Sequence, residues 1–301
     1  MTTLRDIGED ALIARLIPLV PRDPQPAAGP GDDCAVIDPG PEYDTLQLLK
    51  TDVLVEQVHF LSGTPGRWVG WKAVARVISD FAAMGGQPER ILVTLALPTE
   101  TAVEWVEDLY RGMSDCLLAF GAVLAGGETS RVPPGSAPVI SVAATGRVHR
   151  DHLVLRSTAQ AGHALLVTGL LGGSFPDKHL HFTPRVHEAR WLTTHFKPSA
   201  MIDLSDGLAR DLPRLAEASG CGFVLDEACL PCAPGCRTPQ AIEDGEDYEL
   251  LFTIDPGRVA GLLDAWRVDF PALPLTVIGR LVHVGAGNPL RRGWEHFPPQ
   301  S

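Results

Sequence analysis

The sequence predicts an α+β protein made of two α/β domains, residues 1–149 and 150–301. Its 301 residues suit two domains of about 150 residues each, because a chain of that size can bury a core of its own. In the first half, strand patterns follow one another before helices alternate with them, which favours α+β over a regular doubly wound sheet. The pattern begins again near residue 150 without a Gly/Ser-rich linker, so we expect the two domains to dock directly.

Apolar periodicity places the elements of both halves. Apolar residues at helical spacing predict a helix over residues 4–18, and the following run PRDPQPAAGPGDD cannot continue it. The further elements of the first half are strands at 34–37, 45–55, 91–97, 122–126 and 138–148, and helices at 66–84 and 101–119. Those of the second half are strands at 163–169, 200–204, 222–226, 248–254 and 274–282, and helices near 184–195, 207–219 and 256–266.

Composition excludes several classes of partner. The formal net charge of -12 repels phosphate polymers and anionic lipid, so we expect no nucleic-acid and no membrane partner. No apolar run approaches the roughly 18 residues of a membrane span, and the acidic start MTTLRDIGED is unlike a signal peptide, which predicts a cytoplasmic protein. Cys229, Cys232 and Cys236 lie close together but fit no common zinc spacing, so free thiols are the better interpretation.

Acidic residues recur in short motifs, each beside a turn or a small residue. The motifs are GDDCAVI (Asp32, Asp33), KTDVL (Asp52), VISDFAAMGG (Asp80), AGGETSR (Glu128), IDLSDGL (Asp203, Asp206) and EDGEDYELLFT (Glu246, Asp247). Taken singly, most have a local explanation, and Ser205 or Asp206 is expected to cap the helix that follows. Asp203 has no such local explanation. An unpaired carboxylate in an apolar strand is costly to bury, so a binding role is the better interpretation.

Carboxylates that converge at strand ends are suited to hard cations such as Mg²⁺, which bridge protein to nucleotide phosphates. The sequence has neither GxxxxGK[ST] nor a GxGxxG after a strand, so a phosphate cradle of the usual kinds is absent. An acidic protein can still bind ATP through bound metal. Phosphoryl transfer then needs mainly positioning and charge neutralisation.

Taken together, the motifs resemble those of the thiamine-monophosphate kinase family, within the aminoimidazole-ribonucleotide synthetase (PurM-like) superfamily. The resemblance starts at DIGEDALIARL and continues through TDVLVEQVHF, ISDFAAMGG, IDLSDGL and GEDYELLFT to the closing GWEHF. It implies direct, magnesium-assisted transfer of the ATP γ-phosphate to thiamine monophosphate, giving thiamine diphosphate and ADP. It also implies a PurM-like N-terminal domain whose mixed sheet forms a homodimer interface, and a PurM-like C-terminal domain.

The resemblance also implies roles for particular residues. The implied metal ligands are Asp33, Thr51, Asp52, Asp80, Glu128, Asp203 and Asp206. Of these, Asp203 and Asp206 are the implied catalytic pair. The implied ATP contacts are Tyr110, Gly127, Glu128, Arg156 and Ser205. The implied substrate contacts are His59, Glu246 and Trp294, of which Trp294 can stack on a pyrimidine or attract a cationic thiazolium.

Two departures from the family pattern bear on metal binding. Glu128 stands where the family has aspartate, which keeps the charge but moves the oxygens, and Lys50 stands where many members have a small hydroxyl residue. Lys50 can replace part of a cation's charge or touch a phosphate. Two alternatives therefore stay open: an enzyme of the same fold with another small substrate, and a catalytically impaired nucleotide-binding homologue.

Overall fold

The computed structural model describes residues 3–21, 28–287 and 290. The strands are β1 (Ala35–Ile37), β2 (Thr45–Val55), β3 (Gln87–Pro98), β4 (Val123–Val132), β5 (Val139–His149), β6 (Ala164–Thr168), β7 (Ala200–Asp203), β8 (Cys221–Leu225), β9 (Leu250–Ile254) and β10 (Leu275–His283). The α-helices are α1 (Leu4–Leu16), α2 (Gly66–Ala83), α3 (Val103–Phe120), α4 (Val186–His195), α5 (Leu208–Ala218), α6 (Thr238–Glu243) and α7 (Val259–Asp269). The described part of the chain contains no helix with the length and apolar character that crossing a bilayer requires.

Strands β1–β5 form a mixed five-stranded sheet in the order β1-β2-β5-β3-β4. Strands β3 and β4 pair in parallel, while β1–β2, β2–β5 and β5–β3 pair antiparallel. In β2, side chains alternate between a buried face, with Leu46, Leu48 and Leu54, and an outward face, as expected for a sheet covered by helices on one side. The predicted mixed sheet is confirmed.

Strands β6–β10 form a second five-stranded sheet in the order β7-β9-β6-β10-β8, and its pairings are antiparallel. All five residues of β9, LLFTI, are buried, because the two faces of this interior strand pack into different cores. One core contains Leu251 with α5 residues, and the other contains Leu250 and Phe252 with α4 and α7 residues.

Helix α2 lies between the two sheets and is buried along most of its length. It contacts β2 and β5 of the first sheet, and also β7 and α4 of the second half. A helix enclosed in this way is apolar on nearly every side, as the run VGWKAVARVISDFAA indicates. Its alanines Ala82 and Ala83 therefore belong to a core that the second half supplies.

Close packing against α3 depends on small residues. A Cβ on Gly70 would lie 1.9 Å from the carbonyl oxygen of Leu109, and one on Gly112 would lie 1.8 Å from that of Arg67. Any side chain at either position would push the two helices apart. The glycines therefore allow α2 and α3 to cover the inner face of the first sheet together.

Every predicted strand is confirmed, and the differences lie in their ends and in the helices. Strand β4 continues to Val132, well beyond the predicted end at residue 126, because β3 offers it a long parallel partner. Helix α1 contains a break at Gly8, where φ is 72°. Helix α6 was not predicted, since its six residues are too few to show a helical period.

Candidate active site

Two ion pairs join β2 to one face of α2. Lys50 and Asp52 lie on the same, inner face of β2, while Arg76 and Asp80 are four residues apart on α2 and share a side of the helix. Lys50 Nζ donates to Asp80 Oδ1 at 2.6 Å, and Arg76 Nη2 lies 3.1 Å from Asp52 Oδ1. Strand β2 and helix α2 thus face each other with residues of opposite charge on the inner side of the first sheet.

Three carboxylates meet where the two halves of the chain touch. Asp33, Asp80 and Asp203 are all buried, and each offers an oxygen within 4.8 Å of the others. Arg156 donates to both oxygens of Asp33, from Nη2 at 2.6 Å and from Nε at 3.1 Å. Ser79 Oγ donates to Asp203 Oδ2 at 2.6 Å. We call Asp33, Asp80 and Asp203 the carboxylate cluster.

Burial and then the repulsion between neighbouring carboxylates raise the pKa of two members of the carboxylate cluster. Burial, with the charge of Asp33 adding to it, raises the pKa of Asp203 to about 6. Burial also raises the pKa of Asp80 well above its usual range, although Lys50 opposes the shift. Carboxylate oxygens at this separation repel one another when ionised, and a hard divalent cation relieves that repulsion. The residues present therefore fit the magnesium that the sequence analysis predicts.

The loop between β7 and α5 holds Asp206 but does not cap the helix in the predicted way. The N-cap of α5 is Gly207, with φ of 93° and no side-chain cap, so the prediction that Ser205 or Asp206 caps this helix is wrong. Instead, Asp211 Oδ2 accepts from the backbone N–H of Asp206 at 3.0 Å. Arg214 Nη1, from α5 itself, donates to Asp206 Oδ2 at 2.5 Å.

Glu246 joins the second half to α2 through a buried ammonium group. Lys72 is fully buried, and its Nζ donates to Glu246 Oε2 at 2.6 Å and to the backbone oxygen of His59 at 2.6 Å. His179 Nδ1 lies 2.8 Å from Glu246 Oε2. The structure therefore places two predicted substrate contacts, His59 and Glu246, on the same lysine.

The backbone of Glu246 is held in an unusual conformation. Its φ is 63°, a left-handed value that side chains with a Cβ rarely adopt. Its N–H donates to the backbone oxygen of Ser205 at 2.7 Å, and the N–H of Tyr248 donates to that of Leu204 at 2.8 Å. These two bonds fasten the loop of Glu246 to the loop of Asp203 and Asp206.

The structure does not bring every predicted residue to the carboxylate cluster. Thr51 points to the outward face of β2, opposite to Asp52. Glu128 and Gly127 lie on exposed β4, which β3 and β5 separate from β2. A Cβ on Gly127 would lie 2.1 Å from the backbone oxygen of Val93, so β4 needs glycine there. The roles of these residues stay predictions.

Tyr110 lines a groove of about 280 Å³ between α3 and the edge of the first sheet. Its other walls are mainly apolar and include Ile91, Met113, Leu117 and Leu124. Trp294 lies outside the described residues. Cys229, Cys232 and Cys236 carry free thiols, and among the described residues the one group suited to a metal ion is the carboxylate cluster.

Sequence reasoning missed Lys72 and Arg76 as members of the site. A signal was present, because Lys72, Arg76 and Asp80 recur every four residues in a helix whose other residues beyond the first turn are apolar or small. A charged stripe on a buried helix must face partners, since unpaired buried charges are costly. His179 gave no comparable signal, because its burial depends on a loop without periodicity.

Glu246 provides a pH test of these contacts. Burial would raise the pKa of Glu246, but the His179 hydrogen bond and the charges of Lys72 and Arg76 outweigh it and lower the pKa to about 2. A lowered carboxyl pKa adds stability above its unfolded value, and that stability is lost as the pH falls toward the folded value. We therefore expect Glu246→Gln to cost more free energy of unfolding near pH 6.5 than near pH 3, as measured by urea denaturation. An equal cost at both pH values would contradict the assignment.

Comparisons with family models and with individual proteins agree on what this chain is similar to. Residues 31–148 match the family model for the AIR synthase related protein N-terminal domain, and residues 179–269 match that for its C-terminal domain. The thiamine-monophosphate kinase of Rhodopirellula baltica is 38% identical over 86% of this chain and 84% of its own. That of Escherichia coli K12 is 32% identical over 96% of this chain and 98% of its own. A solved structure described as AaThiL complexed with AMPPCP and TMP has a TM-score of 0.84 and 29% identity, and the match covers 99% of each chain.

Proposed function

The chain belongs to the thiamine-monophosphate kinase family, and from that premise we propose how its site works. The protein is an ATP-dependent phosphotransferase that converts thiamine monophosphate to thiamine diphosphate, with ADP as the second product. The observation that carries the assignment of the site is the carboxylate cluster between the two sheets, beside the loop of Glu246. Transfer is direct, from the γ-phosphate of ATP to the phosphate of the acceptor.

Magnesium is held by carboxylates of both halves of the chain. Asp33, Asp80 and Asp203 are the central ligands because their oxygens already converge, and Asp52 and Asp206 extend the ligand set on either side. When bound, Mg²⁺ neutralises phosphate charge in the transfer step. Thr51 and Glu128 lie away from these oxygens in the described chain. We propose that they contribute only once nucleotide or a second copy of the chain is bound.

The nucleotide lies across both halves of the chain. We place its base in the apolar groove beside Tyr110 and its phosphates near Gly127, Arg156 and Ser205. Arg156 already donates two hydrogen bonds to a carboxylate, and a guanidinium makes the same paired contact with phosphate oxygens. The cationic side chains of the chain lie among the carboxylates, so they can orient the phosphates there. Helix α2 and strand β7 exclude water from the same region.

The acceptor lies on the side of Lys72. His59 and Glu246 are the proposed contacts, held at a fixed separation by the lysine that both share. Burial, with Arg76 adding to it, lowers the pKa of His59 to about 4, so its ring is neutral at pH 7. Glu246 keeps its negative charge, and it offers a counter-charge for the cationic thiazolium of the acceptor. Trp294 is proposed to complete this side by stacking.

The outward face of the first sheet supports a homodimer. Large apolar side chains are exposed there, namely Leu49, Val53, Leu92 and Val123. Several large apolar side chains exposed on one face of a sheet are typical of an interface. Covering it with a second copy would also bring the exposed residues of β4, including Glu128, against the partner.

Placing a charge on the outward face of the first sheet is expected to yield monomers. Leu92 is 50% exposed in the middle of β3, and Leu92→Glu would place a charge in the interface, where it would lose water without gaining a partner. We expect the wild type to sediment as a dimer and Leu92→Glu as a monomer. Val268→Glu is the matched control, because Val268 is exposed on α7 away from that sheet, and it should remain dimeric. A Leu92→Glu protein that still dimerises would show that the interface lies elsewhere.

The division of the chain at residues 149 and 150 is likewise a proposal. It is supported by the end of β5 at His149 and by the family model that ends at residue 148. A cytoplasmic location is proposed because all six cysteines carry free thiols, as in reducing compartments.

The kinase function is tested by incubating purified protein with ATP, Mg²⁺ and thiamine monophosphate and separating the thiamine phosphates. Thiamine diphosphate should appear, together with an equal amount of ADP. Folded protein that makes none above a control without enzyme would contradict the function and favour an impaired homologue. Turnover of free thiamine but not of its monophosphate would show that the substrate is different.

A further inference from the structure

Lys50 brings a fixed positive charge to the carboxylate cluster. It lies on the inner face of β2, and its Nζ donates to Asp80 Oδ1 at 2.6 Å. The Lys50 side chain is 24% exposed and that of Asp80 10% exposed, so water screens the pair only weakly. Asp80 is one of the three carboxylates that converge, so the ammonium lies at an oxygen set suited to a metal ion.

The chain's own cations almost balance the carboxylates around this point. Three carboxylates each have a cation at short distance: Asp33 has Arg156 at 2.6 Å, Asp52 has Arg76 at 3.1 Å, and Asp80 has Lys50 at 2.6 Å. The fourth, Asp203, accepts from a neutral hydroxyl, Ser79 Oγ. With all four carboxylates ionised, as metal binding requires, the three cations leave one net negative charge among these residues of the described chain.

We infer that, in the protein without nucleotide, Lys50 acts as a built-in cation at Asp80 and holds the position that a divalent ion takes when nucleotide is bound. A lysine ammonium is a compact point charge on a flexible stem, and it is attached to β2, so no ion must be captured from solution. Arg156 and Arg76 pair with other carboxylates, Asp33 and Asp52. The protein without nucleotide therefore binds free divalent ions weakly.

This inference deepens the proposed function and rests on it, because it concerns the metal requirement of the same site. Nucleotide phosphates bring further negative charge, and they allow the site to accept metal that the protein alone holds poorly. Metal then enters mainly together with ATP. Lys50 sets this order by lowering the attraction of the empty carboxylates for a free ion.

The test is titration of the nucleotide-free protein with Mn²⁺, with free Mn²⁺ followed by its electron paramagnetic resonance signal. Lys50→Met removes the charge but keeps an unbranched side chain, and we expect it to bind Mn²⁺ at least about ten-fold more tightly than the wild type. Lys50→Arg keeps the charge and should bind as weakly as the wild type. Circular dichroism and thermal melting check that each variant is folded, and Lys50→Ser replaces Lys50→Met if the latter does not fold.

Lys178→Met is the matched control. Lys178 Nζ also lies near a buried carboxylate, Asp247 Oδ1 at 3.3 Å, but outside the carboxylate cluster, so its loss should leave Mn²⁺ affinity unchanged. The inference is overturned if Lys50→Met binds Mn²⁺ within about threefold of the wild type or more weakly. The titration contains neither ATP nor thiamine monophosphate, so that result would leave the kinase assay untouched. An inactive protein that shows the Lys50 effect would contradict the function alone.

Discussion

Asp203→Asn is expected to lower the rate of thiamine diphosphate formation by at least about 100-fold while leaving the melting temperature unchanged or raised. The carboxylate of Asp203 is buried in the carboxylate cluster, so the neutral amide removes one negative ligand for Mg²⁺. The amide oxygen can still accept from Ser79. Loss of a buried charge that Asp33 repels should favour the folded state. Turnover and thermal melting of the same preparation measure both effects.

Asp264→Asn serves as the control for that variant. Asp264 is exposed on α7 and paired only with exposed Arg267, so neither turnover nor melting should change. If Asp203→Asn instead melted at a much lower temperature, Asp203 would have a structural role, and the loss of activity would carry no information on metal. Retention of more than about a tenth of the activity would remove Asp203 from the catalytic pair.

Lys72→Met is expected to cost about 3 kcal/mol or more of folding free energy, because removing one partner of a buried ion pair leaves the other charge uncompensated. Lys72 is fully buried, and Glu246 is only 20% exposed in its side chain. The variant should also raise KM for thiamine monophosphate more than KM for ATP, since the lysine holds His59 and Glu246. Urea denaturation and initial rates measure the two effects.

Two further variants distinguish the stability cost of losing the Lys72–Glu246 ion pair from a general effect of removing a cation. Arg111→Met breaks an exposed pair with Glu107 and should cost far less, because water already screens such pairs. Adding Glu246→Gln to Lys72→Met should recover part of the lost stability, since no unpaired carboxylate then remains. If the double variant were less stable than Lys72→Met alone, the ion pair would not be the source of the loss.

The strands were predictable because their signals are local. In β2 the alternation of Leu46 and Leu48 with polar residues indicates a strand with one buried face, and the structure confirms it. The short helix α6 and the glycine N-cap of α5 were not predicted, since each depends on a loop packed against it. A Cβ on Gly207 would lie 2.4 Å from the backbone oxygen of Asp244, a contact that no local pattern reveals.

In the site, too, the features with local sequence signals were predictable and those that depend on packing were not. The acidic motifs already contained Asp33, Asp80 and Asp203, and their placement beside turns and strand ends indicated convergence. Which cation faces which acid depended on tertiary structure. Lys50 meets Asp80 because β2 packs on α2, and Lys72 meets Glu246 across 174 residues of sequence.

For this protein, the sequence alone determined the order of the strands and of the longer helices, the family resemblance and the identity of the acidic residues. Those properties are written in periodicity and in short motifs, which need no knowledge of distant contacts. The tertiary structure alone decided that α2 lies between two sheets, and that its charged stripe neutralises carboxylates from both halves of the chain. The physical reason is that charge pairing depends on distances between residues far apart in sequence, and only the folded packing sets those distances.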